Sequence, residues 1–389
     1  MTLNSIQEYA LAIRQRYQKA TKEEKGKILD EFVKTTGYHR KAAIRLLLKS
    51  CKAVSRKRGR VPYYQVVLEP LKTLWEASDR LCSKRLQPFL PELIRVMQGK
   101  GELAINADTV TKLIKLSPAT IDRLLKPYRA KGGRKSHTTT QSNHLLKNLI
   151  PVRTFADWQE NRPGFLEIDL VAHCAESVEN FYLNTLCAVD VASGWFESVP
   201  VWGKGQVRVR SAVHHIRQQL PFKLLGLDSD NGSEFINQCF FTYCQKEKIT
   251  FTRSRAYKKN DSCNVEQKNG NVIRRLVGYE RYSSHAAYQS LERLYYTIRL
   301  YLNFFQPTMK LIAKTRHGAK VHKVYETALT PYQRLLKLGV LTPARQSELA
   351  AIYSGLNPVL LLKQINANLA QLWKLADRST ISVTPIMRQ

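Results

Sequence analysis

The sequence predicts a multidomain chain: a helical N-terminal region, a mixed α/β core, and a mostly helical C-terminal region. Three observations predict it. A length of 389 residues allows two or three separate cores. Apolar residues recur at spacings of three and four up to about Arg129, which is the helical period. After a Gly-, Thr- and Lys/Arg-rich stretch the pattern changes to short β-rich runs and then to alternating helix and strand. With 43% hydrophobic and 9% aromatic residues, the composition is that of a globular chain rather than a disordered or fibrous one.

Residues 1–60 hold the clearest helical pair, EEKGKILDEFVKTTGYHRKAAIRLLLKS. One amphipathic helix carries Ile28, Leu29, Phe32 and Val33, stops at Gly37, and is followed by a second that turns Ala42, Ala43, Leu46 and Leu47 inward. This is a helix-turn-helix pattern. Arg40, Lys41, Arg45 and Lys49 form the outward set of the second helix, suited to a DNA groove or, equally, to water. Residues 61–129 repeat the plan. Ser117 is a good N-cap and Pro118 a good first helical residue, so a helix from Pro118 to about Tyr128 is expected, with Thr120, Arg123 and Lys126 outward. Residues 130–150 read as a flexible basic linker.

The core is expected at 151–282. FLEIDLVAHC, FYLNTLCAVDVA and WFESVPVW read as three strands. A helix around Val207 to Gln219, a strand LLGLDSD, a helix around Glu234 to Glu247, a strand ITFTRS and a long helix from about Cys263 follow. The remainder, 283–389, is mostly helical and contains a basic stretch, KLIAKTRHGAKVHK.

Sixty-two Lys+Arg against 31 Asp+Glu give a formal charge of +31. A metabolic enzyme has no need of that excess; a polyanionic partner does, and nucleic acid leads because basic side chains gain affinity by displacing condensed counterions. The seven cysteines are scattered and do not form CxxC pairs, so reduced thiols are expected and zinc is not. No apolar run is long enough to cross a bilayer, and the N-terminus lacks a secretory pattern, which places the chain in the cytoplasm by expectation. No GxxxxGK[ST] phosphate loop is present.

Three acids carry the candidate chemistry. Asp169 lies at the end of a first strand, Asp230 just after a later strand in LGLDSDNGSEF, and Glu266 at the start of a helix in NDSCNVEQKNG; 35 residues separate the last two. Phosphodiester chemistry needs hard oxygen ligands able to hold two Mg²⁺ or Mn²⁺ ions about 4 Å apart, and carboxylates from separate elements supply them. Neighbouring acids compete. Asp228 would share a face with Asp230, and the DNG context favours the latter. Asp190 reads as structural or near the site, Glu234 as a first-turn helix residue, Glu167 as a neighbour on the face of Asp169, and Asp261 as a cap for the helix bearing Glu266. Asn231 and Gly232 read as the turn that presents Asp230, and Lys258, Lys259 and Asn260 as a loop able to hold a DNA end. Lys268, Arg274 and Arg275 would continue a basic face along the last helix.

Taken together, GFLEIDLVAH, CAVDVASGWFESVPV, SDNGSEF and KKNDSCNVEQKN resemble the integrase-like DDE transposases of bacterial insertion sequences, relatives of retroviral integrases. The resemblance runs from about Val152 to about Leu336. It implies an RNase H-like core with a mixed five-stranded sheet flanked by helices, Asp169, Asp230 and Glu266 as metal-binding catalytic acids, and two divalent ions. It also implies double-stranded DNA as partner, as element ends and target, and a homo-oligomer on DNA. In the reaction it implies, water frees a 3′-hydroxyl at an element end and that hydroxyl attacks target DNA, with no covalent enzyme intermediate. The chain departs from retroviral members in two ways: Gly270 and Ile273 stand where they carry lysines, and their zinc-binding N-terminal domain is absent. A DNA-binding regulator that no longer cuts, and an RNase H-like nuclease that does not join, remain rival readings.

Overall fold

The structure, a computed structural model, describes residues 2–48, 64–129, 162–255 and 262–377. The linker at 130–150, Lys49, Lys258, Lys259, Asn260 and Asp261 lie outside the described residues. Two units divide the chain, Met1–Tyr63 and Tyr64–Gln389.

The first unit holds three helices, α1 (Leu3–Lys19), α2 (Lys22–Thr36) and α3 (Arg40–Leu48). Thr21 and Glu24 form a reciprocal capping box at the start of α2, and Gly37 ends it in the left-handed conformation, φ 72°, where a side chain would be strained. Ile28, Leu29, Phe32, Ala43 and Leu47 are buried with Ile6, Ala10 and Tyr17 of α1. Arg40, Lys41 and Arg45 point outward as expected, Arg40 pairing with Asp30.

The second unit opens with α4 (Gln65–Ala77), α5 (Ser83–Gly99), α6 (Ala107–Ile114) and α7 (Pro118–Leu125), the last continued by a 3₁₀ turn to Tyr128. Ser117 caps α7 by accepting from the Thr120 amide, and Pro118 is its first residue. Arg123 and Lys126 are exposed, but Thr120 is not. It sits three residues past the cap, where its hydroxyl turns back to Ser117 Oγ at 3.0 Å instead of facing water. These helices share a core with the rest of the unit. Tyr301 Oη donates to the Ala77 carbonyl at 2.8 Å, and Gln306 Nε2 to that of Ser78 at 2.8 Å.

At the centre lies a mixed five-stranded sheet in the order β3-β2-β1-β4-β5, with β1 (Phe165–Ala172), β2 (Asn184–Asp190), β3 (Phe196–Val201), β4 (Gly226–Ser229) and β5 (Thr250–Arg253). The first three run antiparallel, while β4 and β5 run parallel to β1. Helices flank it: α8 (Gln206–Gln219), α9 (Gln238–Lys246), α10 (Cys263–Lys268), a π-helical turn Asn269–Arg274, and α11 (Arg275–Val277). Next come α12 (His285–Phe305), a two-stranded ribbon of β6 (Leu311–His317) and β7 (Lys320–Tyr325), and α13 (Pro331–Leu338), α14 (Pro343–Gly355) and α15 (Pro358–Lys374). Trp195, Phe196, Phe235, Phe240, Tyr282, Tyr295 and Phe305 fill the interior. Among the described residues no helix is long and apolar enough to cross a membrane, and the six described cysteines are free thiols.

Two sequence readings change. The basic stretch at 310–323, placed within a mostly helical region, forms a β-ribbon. Lys268, Arg274 and Arg275 do not share one face: Lys268 is buried beneath the Phe196 ring, Arg274 lies over Tyr279, and Arg275 pairs with Asp79. The π turn between Lys268 and Arg275 adds to the residues per turn, so the helical phase assumed from a 3.6 period is lost there.

Candidate active site

Strand β1 carries two acids on one face, Glu167 and Asp169, because side chains two apart in a strand point the same way. Their surroundings differ. Glu167 is fully buried, and its carboxylate accepts from the Asn264 amide at 2.8 Å, the Val265 amide at 2.9 Å and Asn264 Nδ2 at 2.7 Å. Asn264 and Val265 are the second and third residues of α10, whose N-cap Ser262 makes no side-chain capping bond. An acid from the sheet therefore does what an N-cap side chain ordinarily does, binding exposed helix amides and meeting the positive end of the helix. Burial, with Asp228 alongside, pushes the Glu167 carboxyl up to about 7 even though its three hydrogen bonds pull it down.

Asp169 accepts from Asn269 Nδ2 at 2.7 Å and from the Leu170 amide at 2.8 Å. Part of the residue reaches solvent, yet desolvation of its carboxyl, then the charge of Asp230, then Glu234 and Glu266, hold it well above the usual carboxylate range. Three acids thus lie within electrostatic reach of Asp169.

Asp230 follows β4 directly, and its Oδ1 accepts from the Gly232 amide at 2.9 Å. Asn231 secures this turn to β5, donating to the Ser254 carbonyl at 2.9 Å and accepting from Arg253 at 3.2 Å. Glycine at 232 leaves room for the Glu234 carboxyl group, whose carbon would stand 2.6 Å from a Cβ there and would have to shift for any larger residue. Asp228 takes a different place: buried in β4, it accepts from Thr252 Oγ1 at 2.6 Å. Asp190 is likewise structural, accepting from the Gly164 amide and from the Ser193 amide and hydroxyl to close the turn between β2 and β3.

Glu266 is exposed on α10, one turn before Asn269. Glu234 is not in the first turn of a helix. Helix α9 begins only at Gln238, because Asn237 is the cap, its Oδ1 accepting from the Phe240 amide at 2.9 Å. Glu234 lies in the preceding turn beside Gly232, and burial, followed by Asp230, raises its pKa. Its contribution to the acidic field is not evident from sequence. The Asn at 237 is as good a cap as Ser233 and is the signal for the later helix start.

Carboxylate oxygens are the donors that Mg²⁺ and Mn²⁺ take, and a group of acids that suppress one another's ionisation is relieved by a bound cation. In kind, this donor set fits a divalent ion. Its grouping is open: among the described residues no three His, Cys, Asp or Glu side chains stand together as a metal cage.

No family model matches the chain. It is 44% identical over 326 residues to the protein named "Uncharacterized protein y4rM" of Sinorhizobium fredii, a match covering 83% of this chain and 93% of that one. The chain belongs to the family of that protein. Solved structures similar to it include the HTLV-2 integrase catalytic core domain in complex with magnesium, 22% identical over 30% of this chain and 70% of that one, TM-score 0.24. The catalytic core domain of BIV integrase is 21% identical over 45% and 94%, TM-score 0.29.

Proposed function

We propose that this member of the y4rM family is a DNA strand transferase of the integrase-like transposase kind, acting through Asp169, Asp230 and Glu266 on an RNase H-like core. One observation carries the reading: Asp230 and Glu234, which follow β4, and Glu266 of α10 all act on a single carboxyl, that of Asp169 in β1. Elements far apart in sequence thus bring their charge to bear on one acid of the sheet, the arrangement from which metal-dependent phosphoryl transfer could be built.

Each neighbour has a task in this reading. Asn269 orients Asp169, the Gly232 amide orients Asp230, and Glu167 seats the start of the helix that presents Glu266. Two Mg²⁺ or Mn²⁺ ions held by Asp169, Asp230 and Glu266 would activate the attacking oxygen and stabilise the leaving one. The exposed Arg40, Lys41 and Arg45 of α3, and Arg123 and Lys126 after Ser117, are assigned to duplex DNA at element ends, in keeping with the charge of +31. Lys49, Lys258, Lys259 and Asn260 remain proposed DNA contacts on sequence grounds. Thr120, being buried, is withdrawn from that set. Work on paired ends calls for a dimer or larger assembly.

The test is joining of a duplex, taken from the DNA that flanks the gene, to a supercoiled plasmid in Mg²⁺. Covalently joined product is expected. End binding without cutting would leave a DNA-binding regulator instead, and cutting confined to RNA–DNA hybrids would leave a nuclease.

A further inference from the structure

The ribbon of β6 and β7 has no part in the acidic site, yet its construction is unusual. Leu311–Tyr325 contains Lys314, Arg316, Lys320 and Lys323, two histidines, and no Asp or Glu. Every residue from 312 to 325 is exposed, so both faces of the ladder are in water; even Ile312 is 66% exposed and Tyr325 46%. Lys314 stands directly opposite Lys323, and Arg316, two residues on, shares their face. Like charges placed across from each other destabilise a strand pair, and a lone two-stranded ribbon is marginal in water to begin with. Among the described residues none of these lysines makes a salt bridge that would offset the repulsion.

The base of the ribbon, in contrast, is fixed. Thr308 and Leu329 exchange backbone hydrogen bonds at 2.9 and 3.1 Å, and the Glu326 amide donates to the Lys310 carbonyl at 2.9 Å. Arg334, 4% exposed, holds Glu326 at 2.8 Å and Thr308 Oγ1 at 2.7 Å and reaches the Ser193 carbonyl at 3.3 Å; Lys310 bonds the Ala192 carbonyl. A well-anchored stem therefore carries a projecting cationic arm.

We propose that the β6–β7 ribbon is a DNA-binding arm that lies in a groove of duplex DNA. This rests on the DNA-acting function proposed above. Strands of six and seven residues are roughly 20 Å long. A two-stranded ribbon fits the major groove, which is about 12 Å wide. The phosphates lining that groove would relieve the repulsion between Lys314 and Lys323. A second copy of the ribbon brings the same charges, and lysines along a strand edge oppose edge-to-edge pairing, so self-association is the less favoured use.

The test compares the full-length chain with Lys314→Gln/Arg316→Gln/Lys320→Gln/Lys323→Gln, measuring affinity for a 30-base-pair duplex by fluorescence anisotropy at several salt concentrations. Wild type should bind with a steep salt slope. In the variant that slope should flatten by about 0.9 for each phosphate no longer neutralised, up to about 3.6 when all four cations are removed. Its thermal melt should match wild type, since none of the four supports the core. Amine labelling of the unaltered protein is the companion measurement: bound duplex should shield Lys314, Lys320 and Lys323. An unchanged slope or unshielded lysines would overturn the arm alone. An unchanged slope together with a lower sedimentation coefficient would make the ribbon a contact between copies and would also overturn it. Wild-type protein that holds no duplex would remove the proposed function itself.

Discussion

Glu167 accepts three hydrogen bonds and has no contact with solvent, whereas Lys314 faces Lys323 across a ribbon with both in water. The acids of the sheet and the cations of the ribbon thus carry charge on opposite terms. A buried carboxylate is tolerated only where donors surround it, so the fold has fixed each one. Glu167 holds the start of α10, Asp228 takes the Thr252 hydroxyl, and Asp190 closes a turn. An exposed lysine costs little to leave without a protein partner and stays available to an external one. The difference separates charge that builds the molecule from charge that meets a ligand. Asp169 lies on the border, oriented by Asn269 yet within the field of three other acids.

The sharpest break of this comparison is between Asp228 and Asp230, two residues apart. Asp230→Asn should lower strand joining by about a thousandfold or more while the melting temperature holds, since it weakens a ligand of the reacting centre. Asp228→Asn should act the other way round, lowering the melting temperature and leaving joining per folded molecule close to wild type. Equal loss of joining in both would erase the distinction.

Next is Glu167. Replacement by alanine leaves the Asn264 and Val265 amides without their acceptor and opens a cavity, at a cost of about 2–4 kcal/mol in urea unfolding. Glu167→Gln keeps an acceptor oxygen and should recover part of that stability, with joining restored in parallel. An alanine variant as stable as wild type would show that the carboxylate does not seat the helix.

His173, buried at the far end of β1 with Nε2 2.7 Å from Thr185 Oγ1, gives a pH-dependent check on buried charge. Burial, with Arg274 nearby, lowers its pKa to about 3, below the roughly 6.5 of an unfolded histidine. The folded state therefore resists protonation that the unfolded chain accepts. The contribution is complete above about pH 6.5 and declines as pH falls toward 3, at up to about 1.4 kcal/mol per pH unit. Buried carboxylates with raised pKa values, such as Glu197, change stability in the opposite sense, but they are common to both proteins when wild type is compared with His173→Gln. The stability difference between the two should shrink between pH 7 and 5; a constant difference would mean that His173 is not held neutral.

The smallest effect belongs to the ribbon. Lys323→Glu places an opposite charge across from Lys314 and should stabilise the hairpin by about 0.2–1 kcal/mol, seen as slower hydrogen exchange in β6 and β7. The same change should weaken duplex binding. Faster exchange would indicate that the facing lysines are not in conflict.

Much of this architecture is legible in sequence, and the illegible parts share a cause. The five strands fall where alternation places them, Gly37 and Ser117 punctuate helices as their chemistry dictates, and Asn231 and Gly232 present Asp230. These are local signals. The role of Glu167 depends on amides 97 and 98 residues away, and the packing of α4 and α5 with the core on Tyr301 and Gln306 meeting Ala77 and Ser78, so no window of sequence contains them. Lys268 escapes a 3.6-residue reading because a π turn changes the helical period, and Glu234 because the helix waits for Asn237. The ribbon is within reach, since KTRHGAKVHK alternates around Gly318, but its density of charge marks it only as a basic stretch.

Asp169, Asp230 and Glu266, from separate elements, are proposed to form one metal-dependent strand-joining centre. The most direct measurement follows joining of an end duplex to plasmid by wild type in Mg²⁺, by wild type in a chelator, and by Glu266→Gln, with duplex binding monitored in each. Joined product only in the first, with binding retained in all three, is the predicted result. Joining that persists without a divalent ion, or in Glu266→Gln, would contradict it.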